Sequence, residues 1–370
     1  MITKQQLSEI ISEQFEVFQK KKLVERQVYF PVESSRIIIV SGVRRCGKST
    51  LIRQKLLDSG KTVYLNFEDP RLINFDVEDF IKLEQLCVEI GKSQIILDEV
   101  QNINKWEIYA RSANERVIQL FITGSNAGML SRELGTHLTG RYRQIELFPF
   151  QYAEFLEFFN LGRNVESFSK YFEMGGFPEF YDENDPDYLR TLLRDIITRD
   201  IALRRKINNE NQLIRLAVHL LSNIGKEFSF NKTGKLLEFK SVRTIIDYCD
   251  FLRESYLIEF IPQFSFSIKK QQANAKKAYC VDIAMANANS LSFSKDEGRK
   301  LENLVYNKLR CQNKEIYYFK NGNSECDFLV KQNEQITAAI QVCRELNNEN
   351  MEREIKGLKN ASRLLKNKVE

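Results

Sequence analysis

The sequence feature that most constrains this chain is a glycine-rich segment at residues 42–49. It reads GVRRCGKS and satisfies the pattern G-x-x-x-x-G-K-[ST] in full. The β-branched run 37–40 precedes it, and an apolar helical periodicity resumes from Thr50. This succession predicts a strand, a phosphate-binding loop and a helix, which together form the first unit of a parallel α/β sheet.

Each residue type in this loop has a chemical role. Glycines at 42 and 47 let the backbone curl so that its N–H groups face phosphate oxygens at the positive end of the next helix. Lys48 is expected to reach the β- and γ-phosphates, and the Ser49 hydroxyl to coordinate Mg²⁺. ATP and Mg²⁺ are therefore the predicted ligands. The predicted nucleotide-contacting residues are Gly42, Arg45, Cys46, Gly47, Lys48, Ser49 and Thr50.

An acidic pair follows the third of four short apolar runs. These runs lie at 37–40, 63–67, 95–97 and 120–122, and they alternate with helical stretches, which predicts a parallel sheet covered by helices on both faces. The third run leads into Asp98 and Glu99, at the strand end where ligands collect in such sheets. An acidic pair alone also suits a solvated turn. With the loop upstream, Asp98 is predicted to hold magnesium and Glu99 to polarise the attacking water.

Further candidates follow the fourth run. After Thr123, Asn126 or Ser125 is placed to sense the γ-phosphate or to orient water, although this segment also suits a helix cap or a turn. Arg141 is the preferred candidate for an arginine finger, which stabilises negative charge in the transition state of phosphoryl transfer. Competing candidates for the finger are Arg132, Arg44 and Arg45. His137 is assigned a loop role.

Composition bounds the protein class and its compartment. The 370 residues include 55 basic and 50 acidic side chains, a balance that permits nucleic-acid binding without arguing for it. Seven scattered cysteines without C-x-x-C spacing predict reduced thiols in a cytoplasm. No apolar signal core and no run of eighteen or so apolar residues is visible, so no membrane partner is expected.

The pattern along the chain predicts four segments. They are an N-terminal helix (1–30), the P-loop domain (31–160), a helical and winged-helix domain (161–268) and an α+β domain (269–370). The winged-helix prediction rests on a helix that starts after the N-cap Ser241, with Val242, Ile245 and Leu252 on one face, and on a strand near Leu257.

Several motifs together resemble one family, the bacterial and archaeal AAA-type ATPases whose P-loop domain precedes an uncharacterised C-terminal region. They are segments 42–50, 65–69, 97–101, 123–126, 140–141, 148–150, 175–179 and 194–201. The resemblance spans most of the chain. It implies ATP binding and hydrolysis, a winged-helix unit and a terminal domain of the restriction-endonuclease-like (PD-(D/E)xK) type.

The sequence carries part of the nuclease-like pattern. Glu302, Asp327 and Gln341 fall in that order on a helix and two strands, as the helix acid, the strand Asp and the E/Q-x-K position of such a core do. The position of the catalytic lysine is Cys343, and a thiol cannot replace an ammonium group beside a phosphodiester. We therefore expect a degenerate nuclease-like site without cleavage activity. The family usually continues beyond a helix such as 351–365, so a C-terminal domain ending at Glu370 is expected to be incomplete or shortened.

The sequence thus predicts an ATP-hydrolysing switch or motor that acts on a protein or DNA partner, with a homo-oligomer left open. Two alternatives are an ATP-dependent nuclease and an ATP-regulated DNA-binding protein. The nuclease is disfavoured by Cys343. The DNA-binding protein is disfavoured by Asp247 and Asp250, which lie on the same predicted helix as Arg243 and repel phosphates.

Overall fold

The computed structural model of the protein describes residues 2–19, 24–56, 60–116, 118–125, 138, 140–183, 185–291, 296–312, 315–322, 324–348 and 350–366. The chain separates into two compact units. The first comprises Met1–Gly162 with Glu254–Tyr256, and the second comprises Arg163–Arg253 with Leu257–Glu370. None of the described helices combines the length and the apolar character that crossing a membrane requires.

A five-stranded parallel sheet forms the centre of the first unit. Its strands are β1 (Ile37–Ser41), β2 (Thr62–Asn66), β3 (Gln94–Asp98), β4 (Gln119–Gly124) and β5 (Tyr142–Glu146). They lie in the order β2-β3-β4-β1-β5, so β4 separates the strand before the loop from the strand before the acidic pair. β1 and β3 are buried along their whole length, as strands covered on both faces must be.

Helices flank this sheet and complete its core. They are α1 (Lys4–Gln19), α2 (Lys48–Leu56), α3 (Asp79–Glu89), α4 (Trp106–Glu115) and α5 (Tyr152–Phe159). One apolar cluster joins strand residues such as Ile39 and Leu97 to Phe80, Trp106 and Tyr109 on the helices. The rings of Phe80 and Tyr109 stack with their centroids 4.0 Å apart. This rigid layer fixes the strand ends from which the site is built.

The second unit begins with helices. They are α6 (Val165–Met174), α7 (Pro178–Glu183), α8 (Pro186–Asp195), a π-helical stretch (Ile196–Ala202), α9 (Leu203–Arg205), α10 (Glu210–Leu221), α11 (Phe230–Leu236) and α12 (Val242–Glu254), whose last residue is counted with the first unit. The Ser241 hydroxyl accepts a hydrogen bond from the backbone N–H of Arg243 at 3.1 Å, close to the predicted start of α12.

Two three-stranded antiparallel sheets follow in the second unit. One has the order β6-β8-β7, with β6 (Glu227–Phe228), β7 (Ile258–Pro262) and β8 (Lys276–Cys280). The other has the order β11-β10-β9, with β9 (Glu315–Asn321), β10 (Ser324–Gln332) and β11 (Gln335–Ile340). The remaining helices are α13 (Ile268–Ala273), α14 (Ile283–Asn289), α15 (Glu297–Gln312) and α16 (Met351–Lys366).

The predicted parallel α/β sheet of the first unit is confirmed, with one strand that the sequence did not reveal. β5 was missed because it is an edge strand in which Ile145 is the one buried residue, so it lacks the apolar run of a central strand. The winged-helix and nuclease-like assignments in the second unit remain predictions.

Candidate nucleotide site

The glycine-rich segment connects β1 to α2, and Lys48 is the first residue of that helix. Two of its positions require glycine. A Cβ atom on Gly42 would lie 2.1 Å from the Leu147 carbonyl oxygen, and Gly47 has a φ of +97°. Any side chain at 42 would therefore collide with backbone, and one at 47 would force a strained conformation. The loop has the close backbone curvature that a phosphate cradle needs.

Lys48 lies buried between the loop and the acidic pair. Its ammonium nitrogen is 3.3 Å from the carbonyl oxygens of both Gly42 and Val43, to which it donates, and 3.4 Å from Glu99 Oε1. The side chain of Lys48 is only 4% exposed. The loop lysine and the proposed catalytic glutamate thus share one small volume, in which a charge on one is felt strongly by the other.

Asp98 is the centre of a cluster of hydroxyl groups. Ser49 Oγ donates to Asp98 Oδ1 at 3.0 Å, and the Tyr64 hydroxyl donates to Oδ2 at 2.6 Å. The Thr123 hydroxyl also donates to Oδ1. Burial raises the pKa of Asp98, the neighbouring Glu99 raises it further, and these three hydroxyls oppose the shift. The carboxylate therefore sits where a cation would relieve an unfavourable charge.

Glu99 follows Asp98 in a left-handed conformation, with a φ of +53°. Its backbone N–H donates to Thr123 Oγ1 at 2.9 Å, and its carboxylate accepts a hydrogen bond from the Gln101 side-chain amide. Such a conformation carries a strain cost for a residue other than glycine, and strained residues cluster at active sites and ligand-binding segments. The backbone turn aims the Glu99 carboxylate toward Lys48 while Asp98 remains directed at Ser49.

The donor set around Asp98 fits a magnesium ion. A hydroxyl and a carboxylate oxygen are hard ligands, and Mg²⁺ is usually held by one or two such protein groups together with waters and substrate phosphates. Ser49 and Asp98 are the residues that would hold it. Bound there, the ion would neutralise charge on the phosphate oxygens of a nucleotide.

Other predicted residues stand in different relations to this site. Arg45 is exposed, with a φ of +67°, and Arg44 forms an ion pair with Glu68 at 2.6 Å at the same sheet edge. Thr50 lies half-buried in the first turn of α2.

Arg141 does not lie near the glycine-rich loop of its own chain. Its carbonyl accepts from the N–H of Ile37, at the amino end of β1, whereas the loop follows the carboxyl end of that strand. Its guanidinium pairs with Glu115 at 3.2 Å. The strand alignment therefore places Arg141 at the opposite edge of the sheet. Asn126, Arg132 and His137 lie outside the described residues.

The sequence did not predict three members of the site: Tyr64, Gln101 and Thr123, whose hydroxyl donates a hydrogen bond to Asp98. Thr123 offered a signal, because it is a polar residue at the end of an apolar run. Tyr64 offered no signal, because in the sequence it is one more apolar residue inside a strand. The parallel pairing of Asn66 with Asp98 brings β2 close to the acid.

Comparisons with known proteins identify related domains and relatives of this chain. A family model described as an AAA domain matches residues 34–156, and a model for a domain of unknown function matches residues 165–296. An uncharacterized protein of Methanocaldococcus jannaschii is 34% identical over an alignment 385 residues long. The alignment covers 97% of this chain and 86% of that protein. The chain belongs to an AAA-domain protein family shared with this archaeal relative. A family resemblance extends to an uncharacterized protein of Haemophilus influenzae, 27% identical over 348 residues, or 85% of this chain and 86% of that protein.

The matched AAA-domain range includes the members of the candidate site described above. Gly42, Lys48, Ser49, Asp98 and Glu99 all fall inside the matched range. The match therefore indicates a P-loop ATPase-like domain.

A second polar cluster lies in the C-terminal unit, with its acids beyond both matched ranges and its lysine inside the second range. Glu302 on α15, Asp327 on β10 and Gln341 after β11 come together there, and Lys277 from β8 is placed among the acids. The Lys277 ammonium is 2.9 Å from Glu302, 3.5 Å from Asp327 and 2.6 Å from Glu325. Gln341 Oε1 accepts from the Asp327 N–H at 3.3 Å.

The charges in this second cluster depend on one another. Burial alone would lower the pKa of Lys277, but the carboxylates of Glu302, Asp327 and Glu325 raise it above its ordinary value. Burial and then Glu302 raise the pKa of Asp327, and Lys277 opposes this. Among the described residues, no group of three or more His, Cys, Asp or Glu side chains is arranged to hold a metal ion. The lysine ammonium lies between the carboxylates instead.

Proposed function

We propose that this AAA-domain protein binds and hydrolyses ATP with magnesium and works as a nucleotide-driven switch or motor. The observation that carries the proposal is the convergence of two pairs at the carboxyl edge of the sheet. Lys48 Nζ lies 3.4 Å from Glu99, and Ser49 Oγ lies 3.0 Å from Asp98. These are the four side chains that phosphate binding, metal binding and water activation require.

The roles follow from position and charge. The loop N–H groups and the Lys48 ammonium neutralise the phosphate tail of the nucleotide. Ser49 and Asp98 hold the ion. Glu99, turned by its left-handed backbone, orients and polarises the attacking water, and Gln101 fixes its carboxylate. The Ser125 hydroxyl also belongs to this network, since it lies 3.4 Å from the Gln101 side-chain amide. Asn126 is the residue that we propose to contact the γ-phosphate. We propose Arg141 as an arginine finger only for the site of a neighbouring subunit. The loop of its own chain lies at the opposite edge of the sheet.

The decisive experiment separates nucleotide binding from hydrolysis. Lys48→Ala is expected to abolish ATP binding, because it removes the buried cation that faces the phosphates. Glu99→Gln is expected to retain binding and to trap ATP, because the amide keeps the volume of the carboxylate but cannot act as a base. Lys55→Ala is the matched control, since Lys55 is also on α2 but pairs with the exposed Glu25. Unchanged turnover in both site variants would refute the assignment.

A protein partner is favoured over DNA for the helical region of the second unit, where we also propose the winged-helix unit. Arg243, the expected DNA contact, is paired with Asp247 of the same helix at 3.0 Å, and Arg253 is paired with Asp250 at 3.0 Å. These pairs reduce the positive charge available to phosphates. A titration of labelled duplex DNA at two salt concentrations tests this choice. Tight binding that weakens steeply with salt would favour DNA instead.

A further inference from the structure

We propose that Arg26 is a positioning residue of the phosphate loop, one that fixes the orientation of the peptide between Cys46 and Gly47. This inference rests on the proposed ATP-binding function and adds a residue that lies outside the glycine-rich motif. Arg26 precedes β1 in the chain, and it is buried, with 6% of its surface exposed. Its Nη1 atom donates to the Cys46 carbonyl oxygen at 2.8 Å.

The geometry of the peptide unit gives this hydrogen bond its effect. The peptide between Cys46 and Gly47 is trans, and in a trans peptide the C=O and N–H groups point in opposite directions. A guanidinium that holds the Cys46 carbonyl therefore turns the Gly47 N–H away from itself. Because phosphate binding depends on N–H groups that face the anion, the orientation of this peptide decides whether the Gly47 N–H contributes.

Arg26 is itself held on several sides. Its Nε donates to Glu154 Oε1 at 2.9 Å in a pair whose side chains are 5% and 4% exposed. Its Nη2 donates to the Phe148 carbonyl at 2.6 Å, and its guanidinium lies 4.9 Å from the centroid of the Phe150 ring. A planar fork with fixed donors can satisfy these directions together, which a single ammonium cannot do.

Glu154 is equally restrained. It accepts from the backbone N–H of Gln27 at 2.9 Å and from that of Gln151 at 2.8 Å, at the start of α5. The ion pair thus connects three segments: the one before β1, the phosphate loop and the turn that leads into α5. Buried ion pairs often add little to stability compared with apolar groups of similar volume, whereas orientation is a role they can fill.

The close approach of Arg26 to the loop supports the same role. A Cβ atom added to Gly47 would lie 3.2 Å from Arg26 Nη1, so the guanidinium packs directly against this glycine. Arg26 therefore supports the loop from the side of the Cys46 carbonyl, opposite to the Gly47 N–H that would face a phosphate. Removing Arg26 would free the Cys46–Gly47 peptide to rotate and would leave Glu154 buried without its charged partner.

The test uses the full chain and compares Arg26→Met with wild type. We expect ATP affinity to fall by about tenfold or more in Arg26→Met, and by less in Arg26→Lys, which can restore one hydrogen bond to the Cys46 carbonyl. Arg116→Met is the matched control, because it removes an Arg–Glu pair of 2.8 Å, with Glu84, in the same unit. The control is expected to bind ATP like wild type.

A spectroscopic signal distinguishes positioning from a general loss of stability. With selective ¹⁵N labelling of the 16 glycines, the Gly47 amide resonance should shift on addition of Mg-ADP in wild type and in Arg116→Met. In Arg26→Met this shift should be lost. If Arg26→Met does not fold, Arg26→Gln replaces it, with the same expectations.

Three outcomes are distinct. Loss of both affinity and the Gly47 shift supports the inference. Wild-type affinity with an unchanged Gly47 shift in the Arg26 variant overturns it while the proposed function stands. Failure of the wild-type chain itself to bind ATP overturns the proposed function first, and the inference with it.

Discussion

The Oγ atom of Ser49 donates to Oδ1 of Asp98 at 3.0 Å across a separation of 49 residues in the chain. The contact exists because Asp98 ends β3 and Ser49 lies in the first turn of α2, which follows β1 on the other side of β4. Thr123, at the end of β4, donates to the same carboxylate oxygen. The sheet order thus assembles a ligand pair that no local segment of the sequence contains.

The buried carboxylate of Asp98 should lower the stability of the AAA domain at neutral pH. Because burial and Glu99 raise its folded-state pKa, the folded chain binds a proton more tightly than the unfolded chain does, and stability falls as pH rises through that interval. We expect Asp98→Asn to raise the melting temperature at pH 7.5 while it reduces magnesium-dependent hydrolysis by about 100-fold or more. Thermal melts from pH 4 to pH 8 check the sign. A lower melting temperature at pH 7.5 would contradict this explanation.

Gly175 should tolerate no side chain. Its φ is +63°, and an added Cβ would lie 2.4 Å from Oδ1 of Asp282, whose other oxygen accepts from the Gly176 N–H at 2.6 Å. We expect Gly175→Ala to lower the free energy of unfolding by about 2–4 kcal/mol, from the strained backbone and the collision together.

Gly322 offers the matched control for that change. Its φ is +59°, and an added Cβ would meet no atom within 4 Å. Gly322→Ala should therefore cost only the backbone strain, about 1 kcal/mol. Denaturant titrations of both variants separate the two contributions, and equal losses would show that the contact with Asp282 is unimportant.

The Lys277 ammonium should stabilise the chain by compensating the negative charge of the carboxylates around it. We expect Lys277→Met to destabilise the chain by about 3–5 kcal/mol at pH 7.5, because buried carboxylates lose their cation. The loss should shrink as the pH falls and the carboxylates become protonated. Lys320→Met is the control, since Lys320 pairs with Glu227 at the surface, and its effect should stay below about 1 kcal/mol. A large loss that does not depend on pH would mean that packing, not charge, is what Lys277 supplies.

The sequence revealed those parts of the molecule that have a local signature. β1 to β4 were predictable because buried parallel strands appear as uninterrupted apolar runs, and the loop because its chemistry requires glycine, lysine and serine at fixed spacing. β5 was not, because an edge strand needs few apolar residues. Tyr64, Arg26 and Lys277 were missed for a different reason: their partners are distant in the chain, and only the folded structure brings them together. The alignment of β5 with β1 likewise places Arg141 far from the loop that its sequence context suggested.

The most direct test of the central claim is an equilibrium titration of the purified chain with ATP and Mg²⁺, followed by calorimetry or by a fluorescent nucleotide analogue. We predict saturable binding to one site per chain, lost in Lys48→Ala and retained in Lys55→Ala. Absence of binding to the wild-type chain at millimolar ATP, or equal binding by Lys48→Ala, would contradict the account.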